Sequence, residues 1–291
     1  MKADNVTISI VIPCYNDGPF LLEAIQSTEQ IQDIPHEVIV VNDGSTDPFT
    51  REVLLMVEQK HHKVIHQPNG GLGRARNRGI SDARGRYILP LDADNRILST
   101  YVERGVAILD REPGVDVVYG DAEYFGDKTG RKNVPKFNIW QLLEWNYIDA
   151  CAVFRKSAWH RCGGYDESMP TQGFEDWDLW CRIALSGGRF HHVDEVLFQY
   201  RVRNNSMSSG MATPERVSSI LRHIRSKKIE VSIGDFLEAY HSQGPIVTQL
   251  HRRPFRTIVD LLLRSFVPKQ YCKLKNRIHA RLRKHQATTS Q

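Results

Sequence analysis

Four short apolar runs, each leading into a polar or glycine-rich loop, constrain the fold of this chain more than any other feature. TISIVIP (7–13), EVIVV (37–41), KVIHQ (63–67) and RYILPL (86–91) have the β-branched content of strands, and helical spacing follows the first three. FLLEAIQS follows the first run. After the second, NDGSTDP offers Asp47 as a helix cap and Pro48 as the first helical residue. After the third, the glycine loop NGGLG leads into RARNRGISDARG, read as helical up to Gly85, and VDVVYG (115–120) is a further strand. Strands that are apolar almost throughout are covered on both faces. The alternation therefore predicts an α/β fold, a mainly parallel Rossmann-like sheet with helices on both sides.

In such a sheet the ligand crevice lies beyond the C-terminal strand ends. Polar residues cluster there: Tyr15, Asn16 and Asp17 after the first strand, Asn42 and Asp43 after the second, Asp92 and Asp94 after the fourth. Treated as a continuing strand, RYILPLDADN puts Asp92 and Asp94 on one side and turns Ala93 away. Paired carboxylates with open positions suit Mg²⁺ or Mn²⁺ bound to phosphate oxygens, although an isolated DxD is more often a surface turn.

Beyond Gly130, IWQLLEW reads as a helix, CAVFRK as a strand and FEDWDLWCRIALSGG as a helix ending at a glycine pair. FHHVDEVLFQYRV then closes the domain near residue 205. The charge changes at about the same place. Residues 1–210 carry 23 Lys and Arg against 29 Asp and Glu, whereas 211–291 carry 16 against 5. Two regions are expected, a domain over 1–209 and a basic, mainly helical extension over 210–291.

At 41% hydrophobic and 25% charged residues, the composition excludes disordered and fibrous classes. No apolar run reaches the roughly 18 residues of a membrane span, and the N-terminal run contains a proline and no small-residue cleavage site. Five cysteines without CxxC spacing, Cys14, Cys151, Cys162, Cys181 and Cys272, read as reduced thiols of a cytoplasmic protein. The histidine pairs 61–62 and 191–192 read as structural or solvated, because neighbouring strand residues face opposite ways.

ISIVIPCYND, EVIVVNDGSTD, NGGLGRARNRGI, ARGRYILPLDADN, CGGYDE and GFEDWDLWCRIALSGG occur in an order and spacing that resemble the family 2 glycosyltransferases of the GT-A fold, over about residues 6–209. The resemblance implies an inverting transfer of a sugar from a nucleoside diphosphate donor, usually a UDP-sugar, to a glycan or lipid-linked acceptor. Pro13, Tyr15 and Asn16 then correspond to the loop around the base, Asp43 to the acid that meets the base, and Gly71, Arg76 and Asn77 to the nucleotide-lining loop and helix start. Asp92, Ala93 and Asp94 correspond to the DxD, with Asp92 on the ribose side and Asp94 on the metal. Asp176 matches the general base, and Glu175 stands beside it to orient the acceptor. Many relatives carry a histidine where YRVRNN places Arg203, and an arginine there can contact phosphate but cannot ligate a cation.

Each assignment has a plainer rival. Asp43 could brace its turn, Arg74, Arg76 and Arg78 could be a solvated helix face, and the acids of FEDWDLW could serve the helix dipole above a buried stripe. In the extension, RRPFRTIVDLLLRSFVPKQYCKLKNRIHARLRKHQ suits an anionic membrane surface. Packing on the acidic domain and homodimer formation stay open, and nucleic acid ranks last for want of a motif. Two other functional classes stay open as well, a sugar-1-phosphate nucleotidyltransferase and a non-catalytic sugar-nucleotide binder.

Overall fold

The computed structural model describes residues 6–60, 62–203 and 213–227. The chain divides into two compact units, Met1–Phe236 and Leu237–Gln291, and every described residue lies in the first. The basic segment 252–286, with Cys272, and His61 lie outside the described residues.

The N-terminal half is built as the alternation predicts: β1 (Ile8–Cys14), α1 (Gly18–Thr28), β2 (His36–Asp43), α2 (Pro48–Gln59), β3 (Lys63–Gln67), α3 (Leu72–Ser81) and β4 (Tyr87–Pro90). Asp47 caps α2 by accepting from the Thr50 amide at 2.8 Å, with Pro48 opening the helix. Helix α3 stops at Ser81, short of Gly85, where Asp82 takes the C-cap. The second half contributes β5 (Arg96–Ile97), α4 (Ser99–Arg111), β6 (Val115–Gly126), β7 (Gly130–Lys132), α5 (Ile139–Leu142), β8 (Val153–Arg155) and α6 (Lys156–Arg161). It ends with α7 (Glu175–Leu185), β9 (Arg189–Val202) and α8 (Pro214–Ser226).

These strands form one sheet in the order β3-β2-β1-β4-β8-β6-β9-β5, with β7 on β6. The block β3-β2-β1-β4 is parallel throughout, as is β6 with β9; β8, β5 and β7 pair antiparallel. Alternation along β1 sends Ile8, Ile10 and Ile12 into one core cluster with Leu21, Val53 and Tyr101, and Val11 into the other with Ile80, Trp177 and Trp180. Helices α1, α2 and α4 thus cover one face, and α3, α6, α7 and α8 the other. Helix α8 joins through Ile220 and Ile224, both buried. Gly79 lets α3 lie close on the sheet, since a Cβ there would stand 2.4 Å from Val11 Cγ1. Because β1, β2 and β4 run parallel, their C-terminal loops meet at one edge, and α3 and α7 rise beside it.

Candidate active site

A cleft of about 580 Å³ opens at that edge. Of the residues singled out in the sequence, Pro13, Tyr15, Asp43, Gly71, Arg76, Asp92, Ala93, Asp94, Asp176 and Arg203 line it. They come from six separate stretches of chain. Asn16, Asn77 and Glu175 lie outside the lining, and each has a bracing contact instead.

Asn16, at φ 56°, accepts from the Thr46 and Asp47 amides at 2.8 and 2.9 Å and so ties the first strand-end loop to the second. A short amide side chain tolerates that left-handed backbone better than most residues. The Asn77 side-chain oxygen accepts from the Tyr165 amide and the Trp159 indole, at 2.8 and 3.1 Å, joining α3 to α6 and the loop that follows it. Glu175 is 2% exposed and accepts from the Gly173 amide at 2.8 Å, and burial pushes its carboxyl up.

Asp43, at 4% exposure, lines the cleft and also braces the glycine loop. Its Oδ1 accepts from Gln67 and from the Gly70 amide, and its Oδ2 from the Gly71 amide, at 2.8 to 2.9 Å. The bracing contacts and the place at the cleft thus belong to one side chain. Among the three arginines of α3, Arg74 and Arg78 are exposed, whereas Arg76 is 2% exposed and donates to Asp92 Oδ1 at 2.7 Å. Its Nε is buried without a protein partner. Burial alone would make Arg76 easier to deprotonate, but the carboxylates of Asp92, Glu175 and Asp176 outweigh it and hold the guanidinium charged.

The DxD departs from the strand geometry expected of it. Strand β4 ends at Pro90, and Asp92 to Asn95 form a turn closed by the Asn95 amide on the Asp92 carbonyl at 3.0 Å. Ala93 does not turn away: it is 3% exposed, packs into the core and lines the cleft with its two acidic neighbours. The pairing of Asp92 with Asp94 in one cleft thus comes from a turn.

Asp94 is pushed up to about 6 by burial and by the Asp92 carboxylate, against the pull of Arg203. Two acids confined together call for positive charge, and in this structure guanidinium groups supply it. Arg76 meets Asp92, and Arg203 bonds Asp94 Oδ2 at 2.7 Å and Asp17 Oδ1 at 3.0 Å. Among the described residues no cluster of three or more His, Cys, Asp or Glu could hold a metal ion. What is present fits a hard divalent cation that takes two carboxylates from the protein and the rest of its shell from ligand and water.

At the other end Asp176 stands in the first turn of α7. It is 8% exposed, its Oδ1 accepts from the Trp177 amide at 2.7 Å, and its Oδ2 accepts from the Asn146 side chain at 3.1 Å. Burial pushes its carboxyl up to about 7, with Arg76 pulling the other way and Asp149 adding to the rise. Asn146, Asp149, Gln172 and Tyr200 also line the cleft, and sequence reading did not single them out. They sit between or within elements with no local pattern of their own; only long-range packing, 30 residues apart for Asn146 and Asp176, brings them in.

The profile of Glycosyl transferase family 2 matches residues 9–163, more than half of the chain, and that of Glycosyltransferase like family 2 matches 138–233. The chain belongs to glycosyl transferase family 2. Glycosyltransferase GlyG of Streptococcus pneumoniae is 35% identical to it over 221 residues, covering 69% of this chain and 72% of that protein. Against three further curated relatives, two of them from Rickettsia, this family 2 chain spans about a third of their length. Its fold matches the GT-A transferase structures. S. aureus TarS in complex with UDP-GlcNAc superposes with a TM-score of 0.62 at 20% identity over 81% of this chain and 73% of the other. The mannosyltransferase PcManGT of Pyrobaculum calidifontis, in complex with GDP-Man and Mn²⁺, gives 0.57 at 18% over 94% and 79%.

The remaining groups read as structural. Cys14, Cys151 and Cys162 carry free thiols, and burial pushes that of Cys14 up to about 11; Cys181 is buried with its Sγ 3.8 Å from the Leu142 carbonyl. His192 packs on Tyr119 with ring centroids 5.2 Å apart. No described helix is long and apolar enough to cross a membrane.

Proposed function

We propose that this chain is an inverting glycosyltransferase that moves a sugar from a nucleoside diphosphate donor, with UDP-sugars first among the candidates, to an acceptor hydroxyl. The convergence of Asp43, Asp92, Asp94 and Asp176 on one cleft is the observation that carries the reading. Pro13, Tyr15, Asp43 and the Gly71 loop form the nucleotide end, Asp92 and Asp94 the diphosphate end, and Asp176 the acceptor end.

Transfer with inversion needs a carboxylate that takes the proton of the acceptor hydroxyl as its oxygen attacks the anomeric carbon from the face opposite the leaving diphosphate. Asp176 meets that need in two ways. Its acidity, shifted to about 7, leaves it half ionised near neutral pH yet more basic than an ordinary aspartate. Its two oxygens are held by Trp177 and Asn146, so the carboxylate has a fixed direction. Arg76, charged and buried behind Asp92, sets a positive potential near the diphosphate end. Asp94 and Asp92 would hold Mn²⁺ or Mg²⁺, which would supply charge neutralisation for the departing nucleoside diphosphate.

The relatives named above bear on donor chemistry only by analogy: one structure holds UDP-GlcNAc, another GDP-Man with Mn²⁺. A glycan or lipid-linked acceptor in surface polysaccharide or glycolipid synthesis, at the inner face of a membrane, is the setting this reading favours. The decisive experiment is a panel of UDP- and GDP-sugars incubated with the full chain and Mn²⁺, with release of nucleoside diphosphate as the readout. Slow hydrolysis of one donor that Asp176→Asn removes would support the reading. Binding with no turnover of any donor across the panel would favour a non-catalytic sugar-nucleotide binder.

A further inference from the structure

Arg203 stands where it can decide what Asp94 binds. It follows directly on β9 and lines the cleft. One terminal nitrogen meets Asp94 at 2.7 Å, the other meets Asp17 at 3.0 Å, and the guanidinium carbon lies 4.8 Å from the Phe20 ring centroid. Its Nε is buried with no protein partner, an unusual expense for a charged group that lines a ligand site. Nearby, Arg201 stacks on the same Phe20 at 4.6 Å and is itself held by Glu23 and the Asp94 carbonyl, so the wall behind Arg203 is rigid.

We propose that Arg203 is a built-in counter-cation for Asp94, handed over to the diphosphate of the donor on binding, so that Asp94 takes a divalent cation tightly only in company with the nucleotide. The inference rests on the donor reading above. Its physical basis is competition for one carboxylate. A guanidinium and a divalent cation compete for the Asp94 oxygen that Arg203 now holds, each repelling the other, and removing the guanidinium uncovers an acid that already has Asp92 beside it. A diphosphate offers the planar fork of Arg203 two oxygens at once where Asp94 gives it one, and the unpartnered Nε is a donor such a ligand would engage. Nucleotide and cation therefore bind with mutual enhancement, and Arg203 is its source.

The test uses the full chain and calorimetric titrations with Mn²⁺ alone, UDP alone, GDP alone and Mn²⁺ with saturating nucleotide. In Arg203→Gln, affinity for Mn²⁺ alone is expected to rise roughly tenfold, and affinity for nucleotide alone to fall by a similar factor. The enhancement between Mn²⁺ and nucleotide shrinks accordingly. Arg203→Lys, which keeps the charge but loses the fork, should keep weak Mn²⁺ binding and still lose nucleotide affinity. Asp17→Asn releases one end of the clasp, and should Arg203→Gln not fold, a gain in Mn²⁺ affinity in this variant carries the same inference. Equal Mn²⁺ affinity in Arg203→Gln and the parent, or in Asp17→Asn and the parent where only that variant folds, overturns the proposal. Failure of both nucleotides to bind the parent chain overturns the donor reading and with it the handover.

Discussion

The two ends of the cleft use the same acid in different surroundings. Burial pushes up both Asp94 and Asp176, to about 6 and about 7. Asp94 sits in a turn with a second carboxylate, Asp92, for a neighbour, and its counter-charge is Arg203, whose side chain is one-third exposed. Asp176 stands in the first turn of a helix packed through Trp177 and Trp180, and the groups bonded to it, the Trp177 amide and the Asn146 side chain, are neutral and fixed. Where the counter-charge is a partly exposed side chain, exchange for another cation costs little. Where the partners are neutral and fixed, the exchange left to the acid is that of a proton. Arg76 lies between the two ends, bonded to Asp92 and within electrostatic reach of Asp176.

This contrast fails if the two acids respond alike to substitution. Asp176→Asn keeps size and packing and removes the base, so the rate of transfer is expected to fall by about 10²–10⁴ while nucleotide affinity stays within about twofold. Single-turnover rates and calorimetry on one preparation measure both. Asp94→Ala should show the reverse emphasis: Mn²⁺-dependent donor affinity drops roughly ten- to hundredfold. Calorimetry in which that affinity is unchanged would remove Asp94 from its assigned place. A variant at 94 that leaves donor affinity intact and loses only rate would merge the two ends into one function.

The parallel half of the sheet was legible because each of its strands is a continuous apolar run bounded by a loop with its own chemistry, as with Asp47 and Pro48 at α2. Acids past parallel strand ends then had one edge to share, and Asp43, Asp92, Asp94 and Asp176 do line one cleft. Conformation inside the loops was not legible. The alternation argument carried β4 through Asp94, whereas Pro90 ends the ladder and a turn follows. Nor could periodicity tell which arginine of α3 is buried, or that Asn16 and Asn77 serve as braces between loops. Those outcomes depend on partners up to 88 residues away.

Proton binding separates the two ends further, through stability. Each carboxyl holds its proton more tightly in the folded chain than an ordinary aspartate at 3.8, so each contributes stability that is whole below that value and is lost as pH rises. The loss runs through about 6 for Asp94 and about 7 for Asp176. Asp176→Asn removes the second loss. The variant is expected to melt above the parent at pH 8, by roughly 2–4 °C for each kcal/mol recovered, with the gap narrowing toward pH 5 and closing only near about pH 4. Differential scanning calorimetry at the two pH values checks it, and a gap that widens toward pH 5 would contradict the buried, proton-holding state of Asp176.

Asn146 should give the smallest effect and the most diagnostic one. Its side chain donates to Asp176 Oδ2 and favours the ionised form. Asn146→Ala deletes a hydrogen bond to a charged group, which raises the Asp176 pKa by roughly one unit. Transfer then falls about fivefold at pH 7, where the parent is half ionised and the variant about one-tenth ionised, and it recovers toward the parent rate near pH 9. A purely structural loss would lower the rate equally at every pH. The shape of the pH–rate profile, rather than its height, therefore decides whether Asn146 works by orienting and tuning the base, and Asn146→Gln, which keeps the amide donor, should bring the acidic limb back toward the parent.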